Sequence, residues 1–401
     1  MVKQKFEQRP LFDANVLPRP LPLVGEQKDI RYFGTIARSV LNGPETTGMG
    51  FWSINPYVGC AFGCAYCYAR YAHRWVLDRH ATANPEHDDM QSARDSLPPW
   101  LAFERRIFVK QNAAEVLRRT LRHGSDKHMA LLDGETIVIG TATDPFQPAE
   151  RRFRVTRSVL EVLAEHAGLS VCIITKSPLI TRDIDLLKRI DRNSTLSIHL
   201  SLISTDRELA RRIEPRAPTP EARLRALGRL RDAGIETGIN VMPVLPAITD
   251  HPEALETLVR AVAERGASYV NACALRLRSS ARARYLPFIE QEFPHLAKRY
   301  RATYAFDHKV SSSYSAALSE TMRALCEKYD VAYGFYGRAP DGPRTGELIA
   351  SRFAGAEQLK LELEVASVGA QGDDGIDAGG AATGDEAGDD CGESEGERRT
   401  E

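Results

Sequence analysis

The chain has 401 residues, 43% apolar and 27% charged, with a net charge of −1, which suits a globular protein of one large domain or two ordinary ones. No run of eighteen apolar residues occurs and the N-terminus, MVKQKFEQRPLFDAN, lacks the apolar stretch of a signal peptide. A membrane protein is therefore not expected, and the cytoplasm is the default compartment. Seven cysteines are an odd number for a disulfide framework, and three of them crowd into eight residues, which in a reducing compartment reads as metal or cluster ligation.

Taken in chain order, residues 1–50 are Pro-rich (Pro10, Pro18, Pro20, Pro22, Pro44) and without sustained periodicity, so an irregular arm over the next domain is expected. Apolar or β-branched runs follow at 51–58, 136–143, 171–175, 195–202, 236–244 and 268–275, with helical patterns between them. After the first run, Tyr68, Tyr71, Ala72, Trp75 and Val76 share one helical face, and residues 84–99 look like a polar surface insertion. After the fourth, Thr219-Pro220 reads as an N-cap with proline at the first helical position. A stripe of Leu224, Leu227 and Leu230 comes next, and Gly234 closes the helix. After the fifth, Asp250-His251-Pro252-Glu253 has capping-box spacing before Leu255, Leu258, Val259 and Val262, with Gly266 beyond the last turn. Six βα units imply an α/β fold with a parallel sheet, either doubly wound or an incomplete (β/α) barrel, and in both the ligands gather at the carboxyl ends of the strands.

Residues 279–366 read as a largely helical extension, rich in arginine at first, with Ser319, Met322, Leu325 and Cys326 near one stripe. Residues 367–401 carry 11 Asp and Glu against 2 Arg and almost no large apolar side chains, the composition of a disordered tail. That tail leaves the preceding body basic. Arg276, Arg278, Arg282, Arg284, Lys298, Arg299 and Arg301, interleaved with Tyr285, Tyr300 and Tyr304, would suit phosphates and unstacked bases, or equally the solvated faces of helices.

The segment NPYVGCAFGCAYCYARYAHRW places Cys60, Cys64 and Cys67 at C-x3-C-x2-C, after the first strand and before the first helix. Gly59 and Gly63 give one short loop the freedom to turn three thiols toward a common guest. Soft thiolates suit zinc or iron–sulfur clusters. Three readings compete with a cubane that keeps one iron open: ordinary core cysteines, a zinc site completed by His73, and a cluster used only for electron transfer. The last would want a fourth nearby cysteine, and none appears before Cys172.

With Tyr66 as the aromatic, C-x3-C-x-aromatic-C after the first strand of a βα series resembles the signature of the radical S-adenosylmethionine (radical SAM) superfamily. The segments SINPYVGCAFGCAYCYAR, IFVKQNAAEVL, TATDPFQPAERR, ITKSPLITRD, IEPRAPTPEARL and AGIETGINVMPVLPAITD resemble its spore-photoproduct-lyase-like, or DNA-repair-photolyase-like, branch. The resemblance implies a partial (β/α)6 TIM-like barrel over 51–278. It also implies a [4Fe–4S] cluster on Cys60, Cys64 and Cys67, with S-adenosylmethionine chelated on the open iron. Reductive cleavage would then give a 5′-deoxyadenosyl radical that abstracts hydrogen. An electron donor of the flavodoxin or ferredoxin type and a nucleic acid or nucleotide-like substrate belong to the same picture.

By the same resemblance Tyr66 sits beside the adenine, Asp144 lies near the methionine amine, and Lys176 and Ser201 contact the methionine end of the cofactor. Arg216 would pair with its carboxylate. Each of these also has a plainer reading as a barrel-mouth salt bridge or turn, and Tyr68 as either core or hydrogen relay. One departure stands out. Spore photoproduct lyase proper returns hydrogen from a further cysteine, and residues 90–135 contain none; Cys172 and Cys273 read as core. Thymine-dimer repair itself is therefore not expected. A peptide or small-molecule substrate, and a non-catalytic zinc or iron–sulfur nucleic-acid-binding module, stay open as alternatives.

Overall fold

β-Branched and aliphatic runs separated by amphipathic stretches satisfy their backbone groups most readily as a parallel sheet covered by helices. The computed structural model describes residues 23–27, 29–47, 50–72, 97–122 and 124–334. Its strands are β1 (Leu23–Gln27), β2 (Ile30–Thr35), β3 (Leu41–Asn42), β4 (Trp52–Ile54), β5 (Tyr57–Val58), β6 (Arg106–Lys110), β7 (Thr136–Ile139), β8 (Ser170–Thr175), β9 (Thr195–Ser201), β10 (Thr237–Val244), β11 (Tyr269–Ala274) and β12 (Ala332–Tyr333).

The larger sheet runs β12-β11-β10-β9-β8-β7-β4-β3. All its pairings are parallel except β3 with β4. The six expected strands thus lie side by side in chain order, which is the arrangement of a partial (β/α)6 barrel. Its core is aliphatic, with Ile139, Ile173, Ile198, Leu200, Ile239 and Val270 wholly buried. The helix Pro220–Asp232 begins as read: Thr219 Oγ1 accepts from the amide of Ala222, and Leu227 and Leu230 are fully buried. Gly234 then takes the left-handed conformation that ends it. The helix Pro252–Ala263 starts differently. His251 is its N-cap without a side-chain bond, because the Asp250 carboxylate is engaged by the Tyr314 hydroxyl at 2.7 Å.

Three expectations are corrected. The first run is not one strand: Asn55-Pro56 divides it into β4 and β5, which join different sheets. Proline lacks the amide a ladder needs and restrains the residue before it. Asn55 instead bonds sideways, to Ser53 Oγ at 3.1 Å and to the amide of Ala142 at 2.8 Å. The second run ends at Ile139, where Gly140 turns with a φ of 100°. The arm expected to be irregular forms β1 and β2, an antiparallel pair that docks on β6 to build a second sheet, β1-β2-β6-β5.

Beyond the barrel, Ser279–Glu292, Ala297–Thr303 and Ser312–Lys328 are helical. The last packs Leu318, Met322 and Cys326 inward. The chain then returns as β12 and extends the parallel sheet beside β11. His73, Trp75 and Val76, most of the 84–99 insertion, the extension after 334 and the acidic tail lie outside the described residues. No described helix is long and apolar enough to cross a membrane.

Candidate functional site

Because the barrel strands are parallel, Ile54, Ile139, Thr175, Ser201, Val244 and Ala274 end on one side of the sheet. The cysteine loop lies at that side. It leaves β5 at Gly59 and ends at the 3-10 turn Tyr68–Tyr71. Gly59 and Gly63 have φ of 85° and 66°. A Cβ on Gly63 would stand 2.4 Å from Arg216 Nη2, and one on Gly59 2.7 Å from the Phe103 carbonyl. Both positions therefore require glycine.

The loop's main chain is held by groups far away in sequence. The amide of Cys60 donates to the Phe103 carbonyl at 2.9 Å, and that of Ala65 to Ile213 at 3.0 Å. Gln147, wholly buried, accepts from the amide of Ala61 at 2.9 Å and donates to the Gly59 carbonyl at 3.0 Å. The Thr143 hydroxyl donates to the same carbonyl at 2.6 Å. Arg216 Nε donates to the Ala61 carbonyl at 2.6 Å and its amide to Phe62 at 3.2 Å. Arg70, fully buried, donates through Nη2 to the Cys64 carbonyl and to Glu104, both at 2.8 Å. With the backbone satisfied this way, none of the three thiols is needed to hold the loop.

Cys60 and Cys64 are buried and Cys67 is half-buried. Burial pushes the Cys60 thiol up to about 12, with the charges of Asp144 and Cys67 adding to it. Burial likewise raises Cys64, reinforced by Glu214, and raises Cys67 against the pull of Arg70 and Lys176. Such thiols stay protonated until a metal centre supplies positive charge and takes them as thiolates. Among the described residues no three His, Cys, Asp or Glu side chains draw together as a single metal ion would need. A cubane, whose thiolates sit on different irons, does not demand that convergence. The donor set therefore suits an iron–sulfur cluster.

Next to the thiols lies a sealed charge group. Glu214 is 1% exposed. It accepts from Arg223 Nη2 and from the Tyr66 hydroxyl, and Lys176 Nζ stands 3.9 Å away. Burial alone would raise the Glu214 carboxyl, but Arg223 and Lys176 hold it below its ordinary value. Burial would lower the Lys176 ammonium, but Cys64 and Glu214 hold it up. Lys176 also lies over the Tyr66 ring, 5.6 Å from its centre. Asp144 uses both carboxylate oxygens to tie strand ends together: Oδ1 accepts from the Thr175 hydroxyl at 2.7 Å and the amide of Phe146 at 2.9 Å, and Oδ2 from the amide of Lys176 at 2.8 Å. Burial raises it all the same.

The three cysteines, Tyr66, Asp144 and Lys176 thus come together. Ser201 joins through its carbonyl, which accepts from Arg223 Nη1 at 3.0 Å. Arg216 does not face the strand ends; it braces the loop from the side of Glu104, whose carboxylate lies 3.8 Å from Nη2. Tyr68 is 55% exposed and donates to the Thr141 carbonyl, so it is not core. Cys172 is buried beside Phe51 and Val138, while Cys273 is half-buried. Tyr285, Tyr300 and Tyr304 are at most 2% exposed, and so offer no stacking platform for bases.

Sequence reading passed over Glu214, Arg223, Gln147, Thr143, Glu104 and Arg70. One signal was present: Arg223 shares a helical face with Leu227 and Leu230 at i, i+4 and i+7, so its burial was readable. Arg70, Thr143, Gln147 and Glu214 lie inside the quoted family-like segments, yet nothing local gives their roles, and Glu104 lies outside those segments.

A family model described as the radical SAM superfamily matches residues 54–259. An uncharacterized protein of Mycobacterium tuberculosis is 33% identical over 305 residues, which cover 76% of this chain and 82% of that protein. One from Methanocaldococcus jannaschii is 29% identical over 197 residues, covering 49% and 61%. Among solved structures, spore photoproduct lyase complexed with dinucleoside spore photoproduct shares the fold with a TM-score of 0.54 at 15% identity, over 75% of this chain and 81% of that one. A mutant of the same enzyme with bound AdoMet and dinucleoside spore photoproduct gives 0.54 at 16% identity, over 79% and 86%.

Proposed function

The chain belongs to the radical SAM superfamily, and from that premise we propose that Cys60, Cys64 and Cys67 hold a [4Fe–4S] cluster used to cleave S-adenosylmethionine for hydrogen abstraction from a nucleic acid or nucleotide-like substrate. The observation that carries the reading is the joining of two buried thiols and a half-buried one with Lys176, Glu214 and Asp144 at the carboxyl ends of a parallel sheet. When bound, the cluster supplies the electron that splits the sulfonium into methionine and a 5′-deoxyadenosyl radical.

The residues of the chain then divide their work. Gln147, Thr143, Arg70 and Arg216 fix the loop so that the thiols need not move on reduction. Tyr66, tied through its hydroxyl to Glu214, presents a ring face beside the loop for the adenine. Lys176 is a half-buried cation close to Cys64, suited to the carboxylate of the methionine end, with Ser201 and Asp144 lining the neighbouring strand ends. Arg216, occupied by the loop, acts as a positioning residue rather than as a partner of that carboxylate.

The nucleic-acid side of the proposal is supported by the fold shared with spore photoproduct lyase and by the basic body of the chain. Residues 90–135 hold no cysteine for hydrogen return, so that step is expected to use another group.

The test is anaerobic reconstitution with iron and sulfide, followed by S-adenosylmethionine and dithionite, with 5′-deoxyadenosine and iron per chain measured with and without oligonucleotide. Each thiolate holds a different iron, so every single Cys→Ala variant should lose cleavage, whereas His73→Ala should keep its iron. Cleavage surviving in any of the three cysteine variants would remove the ligand assignment. Zinc bound in place of iron, with His73 as necessary as the cysteines, would favour the non-catalytic module.

A further inference from the structure

Four arginines, Arg70, Arg105, Arg216 and Arg284, gather about the carboxylates of Glu104 and Asp29 on the flank of the cysteine loop. Arg70 and Glu104 form the buried centre, with exposures of 0% and 4%. Arg216, 31% exposed, approaches the same carboxylate. Arg105, 35% exposed, pairs with Asp29, a rim carboxylate that is 52% exposed, at 3.3 Å. Arg284, on the helix Ser279–Glu292, is half-buried, and its Nε is buried without a hydrogen-bond partner. Burial holds its guanidinium below the ordinary value; Glu104 attracts it, while Arg70, Arg216 and Arg105 repel it. Among the described residues, four cations stand against two carboxylates, an excess of positive charge. An arginine whose Nε is buried without a partner gains from an anion brought beside it.

The position of this cluster narrows what that anion belongs to. Arg284 interacts electrostatically with Glu104, Arg70, Arg216 and Arg105, the group that braces the loop. The arginines meet the loop through the main-chain carbonyls of Ala61 and Cys64. A substrate has to reach the strand ends to meet the radical. An electron has only to reach the loop, and tunnelling falls steeply with distance.

We propose that Arg105, Arg216 and Arg284 form the docking surface for an acidic one-electron carrier protein that reduces the cluster. The proposal rests on the radical SAM reading of the loop. In the step itself one electron leaves the reduced carrier and enters the cluster; the carrier is oxidised, the cluster is reduced, and no bond is made or broken. Complementary charge at such a surface acts mainly on encounter and orientation and weakens as salt rises.

Arg105→Glu, Arg284→Gln and the pair together provide the test, with Arg216 left intact because it braces the loop. The probe is purified flavodoxin, its binding to reconstituted protein measured by surface plasmon resonance at low and high salt. The paired variant should bind about tenfold more weakly at low salt and lose most of the salt dependence. Formation of 5′-deoxyadenosine driven by flavodoxin, its reductase and NADPH should fall in parallel, with dithionite-driven formation unchanged. Unchanged flavodoxin binding would overturn the proposal. So would an equal loss with dithionite, which would make the arginines supports of the loop. A loss confined to oligonucleotide binding would turn the surface into a nucleic-acid site and overturn it as well. If the wild-type protein gave no product with dithionite, the radical SAM reading would fail, while the binding measurement would still decide the docking surface.

Discussion

Two carboxylates, Glu214 and Glu104, lie on different sides of the same loop, each outnumbered by cations, and they are built differently. Glu214 is sealed: Arg223 is 1% exposed, Lys176 16%, and Tyr66 5%. Glu104 has one sealed partner, Arg70, and otherwise half-exposed arginines open to water. In a sealed group every charge must be answered inside the protein, and one carboxylate does not answer two cations. A [4Fe–4S] core carrying three thiolates is net anionic, so the guest itself supplies the missing charge. On the open side water bears the excess until a partner arrives. On the proposed reading, the same composition, carboxylate among cations, would serve a resident group in one place and a visiting one in the other.

The largest effect that could break this contrast is on stability. Glu214→Gln strands Arg223 and Lys176 together in the interior, and removing one partner of a buried pair costs about 3–5 kcal/mol. Glu104→Gln strands one fully buried cation, Arg70, rather than two, so a loss at the lower end of that range, about 3 kcal/mol, is expected. Chemical denaturation of both variants without cluster measures the difference. Equal losses would show that the open side is as sealed as the other.

A second test uses acid. The Glu214 carboxyl lies below its ordinary value because Arg223 and Lys176 outweigh its burial. A group whose folded pKa is depressed contributes stability that is fully present above its unfolded value, about 4.5, and that is lost as pH falls through the folded one. The Glu214→Gln variant should therefore show a shallower loss of stability below about pH 4.5 than the wild-type protein. An unchanged acid limb would mean that another group governs it.

How much of this could be read from the chain follows from the range of the forces involved. The six strands were legible because periodicity and caps act within a few residues, as at Thr219-Pro220 and the Leu227/Leu230 stripe. The C-x3-C-x2-C spacing was legible because it is local. The split at Asn55-Pro56 was written in the proline, yet it stayed hidden because the same run is apolar on both sides. The partners of the loop were not legible. Gln147, Glu104, Arg216 and Glu214 act on residues 59–67 only after the barrel has brought the loops following β7 and β9 and the helix Pro99–Arg105 to one place. Arg216 shows the limit well: the motif named the residue, but its role came from what it touches.

The smallest effect sharpens the contrast at the point where the two sides meet. Gly63 has a φ of 66°, and a side chain there would press on Arg216 Nη2. Gly63→Ala should cost about 1–2 kcal/mol from the left-handed backbone alone, and more from the clash. The two parts separate in a double-mutant cycle. Arg216→Ala removes the far end of a flexible side chain, so it should relieve the clash but leave the backbone strain. The paired variant should then be less destabilised than the sum of the single changes by about 0.5–1 kcal/mol, the signature of residues in contact. Iron retained after reconstitution should follow the same order, since the strain falls on the residue before Cys64. Strict additivity in both readouts would show that Arg216 moves aside without loss, and that its bond to the Ala61 carbonyl does not hold the loop.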